Sequence, residues 1–340
     1  MSFSGSLPIL NSILRIAIGR TSATSSFSWH WMILRNVNVV MAVTTIKNLW
    51  TPSVLKQRII TAVLLLLALI AATTQLPSFY FSVLIALIIL IAAYEWAGLI
   101  SPQHKTTKLP YILSVGSMLL GGFFLLGVSP DAQSIDIFRA SLVLILGLLF
   151  WLISLFLLAG YPDNSRLWND ESKIALMGVL VLVPTFVGVV VLKYLLPSGF
   201  LVLALVILVA AADVGAYFVG VNFGSRKLAA SLSPKKSWEG AWGGLTLSLI
   251  VAAGFIWAMH NYLIALSAIQ VLSLLALSMG VTFFSVVGDL VESMLKRNCG
   301  LKDSGAILPG HGGVLDRVDG LVAATPVFVL AMMLVLSSET

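Results

Sequence analysis

Apolar runs of eighteen or more residues recur along nearly the whole of this 340-residue chain, and they leave few architectures open. Backbone in hydrocarbon has no water to bond, so its N–H and C=O groups must be satisfied within helices or a closed barrel. A helix needs about twenty apolar residues to cross a bilayer. Runs of that length, without the alternation of barrel strands, predict an all-α, polytopic integral membrane protein with about nine transmembrane helices. The expected spans are 59–75, 77–100, 110–128, 140–160, 174–192, 199–222, 239–259, 264–290 and 318–337. Charged residues make up only 10% of the chain, against about 25% in soluble domains.

The basic residues orient this bundle. With the segment before residue 59 in the cytoplasm, the loops on that side carry Lys105, Lys108, Arg166, Lys173, Arg226, Lys227, Lys235, Lys236, Lys296, Arg297, Lys302 and Arg317. The opposite loops carry Arg139 and Lys193, so the bias is twelve against two, in the sense of the positive-inside rule. Residues 1–53 stand apart as an N-terminal extension, with no Asp or Glu and with abundant Ser, Thr and Arg. They are expected to be poorly ordered. A transit-like leader and a start codon upstream of the true one, with Met41 as a candidate, both fit; residues 54–340 then form the membrane-embedded functional domain. The single cysteine, Cys299, excludes an intrachain disulfide and any multi-cysteine metal site. Nothing in the chain looks like a nucleic-acid-binding motif, so no nucleic-acid partner is expected. Gly-Lys never occurs, which excludes a phosphate-binding Walker loop, and His311-Gly-Gly has no accompanying nucleophile elbow.

One polar stretch interrupts the apolar pattern, Ser293–Asp319, with Lys296, Arg297, Lys302 and Arg317 beside Asp303, Asp316 and Asp319 and with recurrent glycines. Cations suit phosphate and carboxylates suit a divalent metal. Ionisable residues at a helix centre cost about 2.5–3.5 kcal/mol on the insertion scale, so each asks for a reason. Glu95, Asp213 and Asp289 fall near the cytoplasmic ends of their spans, and the loop acids Glu292, Asp303, Asp316 and Asp319 fall on the same side. Asp289, Ser293 and Lys296 share one helical face. Asp316 and Asp319, three apart, can both point at one cation. Gly215, Gly220 and Gly224 around Asp213 permit close helix packing. Together Asp213, Asp289, Asp316 and Asp319 suggest a shared metal or proton site. The loop 223–238 brings Lys235 and Lys236 to the same side, where they could surround a polyanion.

These blocks carry a resemblance. Ser293-Met-Leu-Lys-Arg, Lys302-Asp-Ser-Gly and the run from Pro309 to Asp319, preceded by Asp213-Val-Gly-Ala-Tyr, Ser233-Pro-Lys-Lys-Ser-Trp-Glu-Gly and Gly288-Asp-Leu-Val-Glu-Ser, closely resemble the signature of phosphatidate cytidylyltransferases, or CDP-diacylglycerol synthases. The likeness runs from about residue 54 to the C-terminus. Val221 stands where many relatives carry a basic residue, and Ser237 where Thr is common. The resemblance implies transfer of a cytidylyl group from CTP to phosphatidate, with pyrophosphate leaving, in phospholipid biosynthesis. It also implies Mg2+ (one cation or two), a homodimer in contact with membrane lipids, and an inner-membrane location with the site at the cytoplasmic face. On this reading Asp289, Asp316, Asp319 and Asp213 hold metal, with Lys296 among the catalytic groups. Lys235, Lys236, Arg297, Lys302 and Arg317 hold phosphates, His311 positions a phosphate or its loop, and Ser233 and Tyr217 make polar contacts. Glu239–Gly244 could line a lateral opening for the lipid. A secondary transporter would share the polytopic architecture but would place its acids at the midplane. A CDP-alcohol phosphotransferase needs a D-G-x-x-A-R pattern that is absent.

Overall fold

The computed structural model describes residues 52–101, 108–308 and 312–337. The chain divides into two compact units, Met1–Thr61 and Ala62–Thr340, and the site lies within the second. The expected 1–53 extension falls almost wholly outside the described residues, and so does His311.

Among the described residues, ten helices and one hairpin follow in order: α1 Pro52–Gln75, α2 Ser78–Ile100, α3 Lys108–Leu126, α4 Ile137–Ala159, α5 Ser165–Trp168, α6 Glu171–Leu195, α7 Phe200–Phe223, β1 Lys227–Ala229, β2 Ser233–Ser237, α8 Trp238–Tyr262, α9 Ala268–Asn298 and α10 Leu315–Ser337. Among the described residues, eight helices are long and apolar enough to cross a membrane: α2, α3, α4, α6, α7, α8, α9 and α10. The expected first span falls on α1, where Leu66–Gln75 qualifies as a shorter apolar helix. The chain is thus an all-helical multi-pass membrane protein. The basic loop after α7 additionally forms a small antiparallel hairpin, with Lys227 opposite Ser237 and Ala229 opposite Ser233.

The core is built around α6, the most buried of the eight. Its residues Pro184–Tyr194 form an unbroken buried run, as expected of a helix enclosed by others on every side. Pro184 of α6 and Pro326 of α10 both press on Gly147 of α4, where a Cβ would come within 2.6 Å of Pro184. Proline removes one backbone bond, which in α10 frees the Val322 carbonyl. The Thr185 hydroxyl, bonded to Val181 O at 2.7 Å, also reaches Val322 O at 3.3 Å.

Two antiparallel helix pairs bring the polar residues together. In α7 and α8, Gly243 presses on Val219 and Gly244 on the Ala212 carbonyl, so side chains larger than hydrogen would separate the helices. Within the Glu239–Gly244 run, Gly240, Ala241 and Gly244 also line the polar cavity described below, and Glu239, Trp242 and Gly243 line a separate open groove along α7 and α8. In α9 and α10, Gly280 faces Val327, Gly288 faces the Asp319 carbonyl, and Gly320 faces Ser285.

The expected ends of α9 and α10 need correction. α9 runs on to Asn298, and α10 begins at Leu315. Gly300, at φ 67°, terminates α9. Leu301 N–H returns to Lys296 O at 2.8 Å and Gly300 N–H to Arg297 O at 3.1 Å, the Schellman pattern that satisfies the last carbonyls. Glu292 is consequently helical and buried, not a loop acid.

Candidate active site

A cavity of about 450 Å³ opens where α7, β2, α8, α9 and the start of α10 meet. Its wall carries five carboxylates (Asp213, Asp289, Asp303, Asp316, Asp319) and four cations (Lys235, Lys236, Lys296, Arg317), with Tyr217 at the edge of α7. Local structure explains the placement. Ser237 ends β2 and caps α8, its Oγ accepting from Gly240 N–H at 3.1 Å. The Glu239 carboxylate accepts from Ser225 Oγ at 2.6 Å and from the Ser225 and Arg226 backbone N–H groups. The hairpin bearing Lys235 and Lys236 is thereby tied at both ends to the head of α8.

Two lysines of the cavity wall, one on the hairpin and one on α9, meet acids. Lys236 forms an ion pair with Asp289, one turn before Ser293, whose hydroxyl lies 3.4 Å from Asp289 Oδ1. Lys296 bridges Asp316 Oδ1 at 2.6 Å and Glu292 Oε2 at 3.0 Å. Asp316 also accepts from the backbone N–H groups of Ser304 and Gly313, at 3.0 and 2.9 Å. Asp319 turns elsewhere. It accepts from Gly320 N–H at 2.8 Å and stands against Asp289 and Glu292. Asp213 lies within electrostatic reach of Lys236, Asp289 and Arg317.

The structure therefore brings together Asp213, Tyr217, Lys235, Lys236, Asp289, Lys296, Asp316, Arg317 and Asp319. Ser233, Arg297 and Lys302 lie off the cavity wall. Arg297 and Lys302 are exposed, and the Arg297 guanidinium lies 3.4 Å from Leu301 O. Asp316 and Asp319 both line the cavity, with Asp316 held by Lys296 and two loop N–H groups. Among the described residues, no three His, Cys, Asp or Glu side chains gather closely enough to form a metal shell in this arrangement.

The donor chemistry nevertheless fits a hard cation. The wall has one more carboxylate than cation. Buried Glu292 stands behind it, and among the described residues its Oε1 has no hydrogen-bond partner. Such a cavity would repel a polyanion by itself, and a divalent cation would reverse that sign. Sequence reasoning did not assign Asp303, Glu292 or Glu239 to the site. Glu292 had a signal, since it stands one turn before Lys296 and three residues after Asp289.

Comparison with known proteins agrees with the cavity's chemistry. Residues 56–335 match the Cytidylyltransferase family. A phosphatidate cytidylyltransferase of Pseudomonas aeruginosa is 39% identical over 274 residues, covering 81% of this chain and 95% of the relative. One of Haemophilus influenzae is 37% identical over 286 residues, covering 81% of this chain and 97% of the relative. A shorter match, 43% over 128 residues, joins the chain to the Bacillus subtilis protein of that name, covering 37% of this chain and 45% of the relative. A match of that extent, over the helices that build the cavity, makes this chain a member of the phosphatidate cytidylyltransferase family.

Proposed function

We propose that this chain transfers the cytidylyl group of CTP to phosphatidate, giving CDP-diacylglycerol and pyrophosphate. The observation that carries the reading is the single cavity on which Asp213, Asp289, Asp316 and Asp319 converge with Lys235, Lys236, Lys296 and Arg317. In the reaction a phosphate oxygen of phosphatidate bonds to the α-phosphorus of CTP, and the bond from that phosphorus to the α,β-bridging oxygen breaks. The electron pair leaves with pyrophosphate. Both reactants are anionic, so the protein must neutralise charge and align them.

Lys235 and Lys236, on a hairpin facing the helical acids, are placed to hold the triphosphate. Lys296 and Arg317 are placed to hold phosphatidate or the departing pyrophosphate. Asp213, Asp289 and Asp319, with Asp316 nearby, are the residues that would hold Mg2+ (one ion or two), which when bound would offset phosphate charge and polarise the reacting phosphorus. The phosphate monoester of phosphatidate is largely ionised at neutral pH, its second pKa being about 6, so no side chain has to act as its base. A cavity opening at one end of the helices suits a lipid that stays in the bilayer and a nucleotide that arrives from water. The charge bias of the loops supports a site at the cytoplasmic face, and the likeness to bacterial synthases supports the inner membrane. A homodimer is the expected assembly, and residues 54–340 the functional unit.

The test is direct. Purified protein in detergent, given labelled CTP, phosphatidate and Mg2+, is expected to form CDP-diacylglycerol and to stop when the divalent cation is chelated. No product under conditions that sustain a known synthase would reject the reading.

A further inference from the structure

We infer that Glu95 of α2, more than 200 residues before the signature loop, is a positioning residue for the transfer reaction: its carboxylate fixes the end of that loop and sets where the first turn of α10 stands. The inference rests on the reading of the cavity given above. Glu95 is 2% exposed. Its Oε1 accepts from Val314 N–H at 3.0 Å, and its Oε2 accepts from Leu315 N–H at 2.8 Å and lies 3.4 Å from Ser304 Oγ. No ion pair to Glu95 occurs among the described residues.

A buried carboxylate without a cation needs strong donors. Here the leading N–H groups of α10 and the positive end of its dipole supply them. The residue before α10 is Val314, whose side chain cannot cap a helix. A distant acid instead satisfies the N–H groups of Val314 and of Leu315, the first residue of α10.

Two glycines make room for it. A Cβ at Gly305 would run into the Glu95 carboxylate, and one at Gly313 would come within 2.6 Å of Oε2. Ser304 carries the connection to the cavity, since its hydroxyl faces Glu95 while its N–H donates to Asp316. The start of the loop is held on the same helix. Cys299 Sγ lies 3.2 Å from Leu99 O, one turn beyond Glu95. A single turn of α2 thus grips both described ends of the segment whose exit leads into Asp316, Arg317 and Asp319.

Cys299, the only cysteine of the chain, is a built-in reporter. Burial pushes its thiol pKa above the usual value, so maleimide should label the folded protein slowly. Glu95→Gln keeps the volume but turns an amide N–H2 toward a backbone N–H. For E95Q we expect turnover at saturating substrate to fall about tenfold or more, because one of the two backbone bonds is lost and the other loses its charge assistance. The KM for CTP, set on the hairpin side, should stay within about twofold. Labelling of Cys299 should be several-fold faster. Gly305→Ala, which presses a methyl group on the same carboxylate, should reproduce both changes and carries the test if E95Q does not fold. Lys193→Met, altered far from the loop, should leave labelling slow even if it lowers thermal stability. Wild-type turnover in E95Q overturns the inference, and so does lost turnover with unchanged labelling. If the wild-type protein itself forms no CDP-diacylglycerol, the transfer reading falls and with it the catalytic part of this inference, while labelling still judges the anchor.

Discussion

Lys296 is the cation whose removal the structure makes most costly. Its side chain is 12% exposed, and those of Asp316 and Glu292 are 5% and 4% exposed. At a separation of 2.6 Å, an effective dielectric near 20 gives about 6 kcal/mol of attraction to Asp316 before desolvation is counted, and Glu292 adds a hydrogen bond at 3.0 Å. Desolvation cancels much of that, and removing one member of a buried pair costs about 3–5 kcal/mol. Because Lys296 serves two acids, Lys296→Met belongs at the upper end of that range. For a chain of this size such a loss lowers the thermal midpoint by about 10–20 °C. The cost comes from carboxylates left without a cation. Glu292→Gln added to K296M should therefore recover several degrees, while turnover stays lost because Asp316 still lacks its partner. Thermal unfolding in detergent and the CTP-transfer assay read the two effects separately. A K296M midpoint within a degree or two of wild type would refute the counter-ion argument. A double variant less stable than K296M would refute the claim that Glu292 is the charge left exposed by the loss.

Three further outcomes follow from the same geometry. Asp289→Asn removes the acid that pairs with Lys236 and faces Asp213 and Asp319. It should cut turnover about 100-fold or more with little change in stability, and unaltered turnover would take Asp289 out of the site. Gly288→Ala places a methyl group against the Asp319 carbonyl and 2.9 Å from Ala323 Cβ. It should cost about 1–3 kcal/mol and depress turnover by displacing α10; a variant with both properties intact would mean that the helix pair can separate freely. Lys193, assigned from sequence to a loop on the non-cytoplasmic side, lies in the last turn of α6, is 1% exposed and donates to Thr73 O at 2.6 Å and Pro197 O at 2.5 Å. Lys193→Met should lower the thermal midpoint through two orphaned carbonyls, worth about 1–3 kcal/mol each, with transfer activity per folded molecule unchanged.

Helical period alone placed Asp289, Ser293 and Lys296 on one face, and the structure keeps them there because α9 continues unbroken through all three. Hydropathy, in contrast, ended α9 too early. An apolar run reports where a helix leaves lipid, not where its backbone bonds stop, and here the bonds stop at Gly300, two turns later. That error put Glu292 in a loop and hid its bond to Lys296. The ion pair of Lys236 with Asp289 was out of reach for another reason, since it depends on how closely the head of α8 packs beside α7 and α9. The glycines around Asp213 announced close packing but not its partner or register. Glu95 was least legible of all. In sequence it is one acid at the end of an apolar helix, and every donor it meets among the described residues is backbone or hydroxyl more than 200 residues away. Hydropathy finds the segments that must enter lipid. The chemistry is built where those helices overrun the apolar zone and cap one another, and there side-chain identity says little until the packing is known.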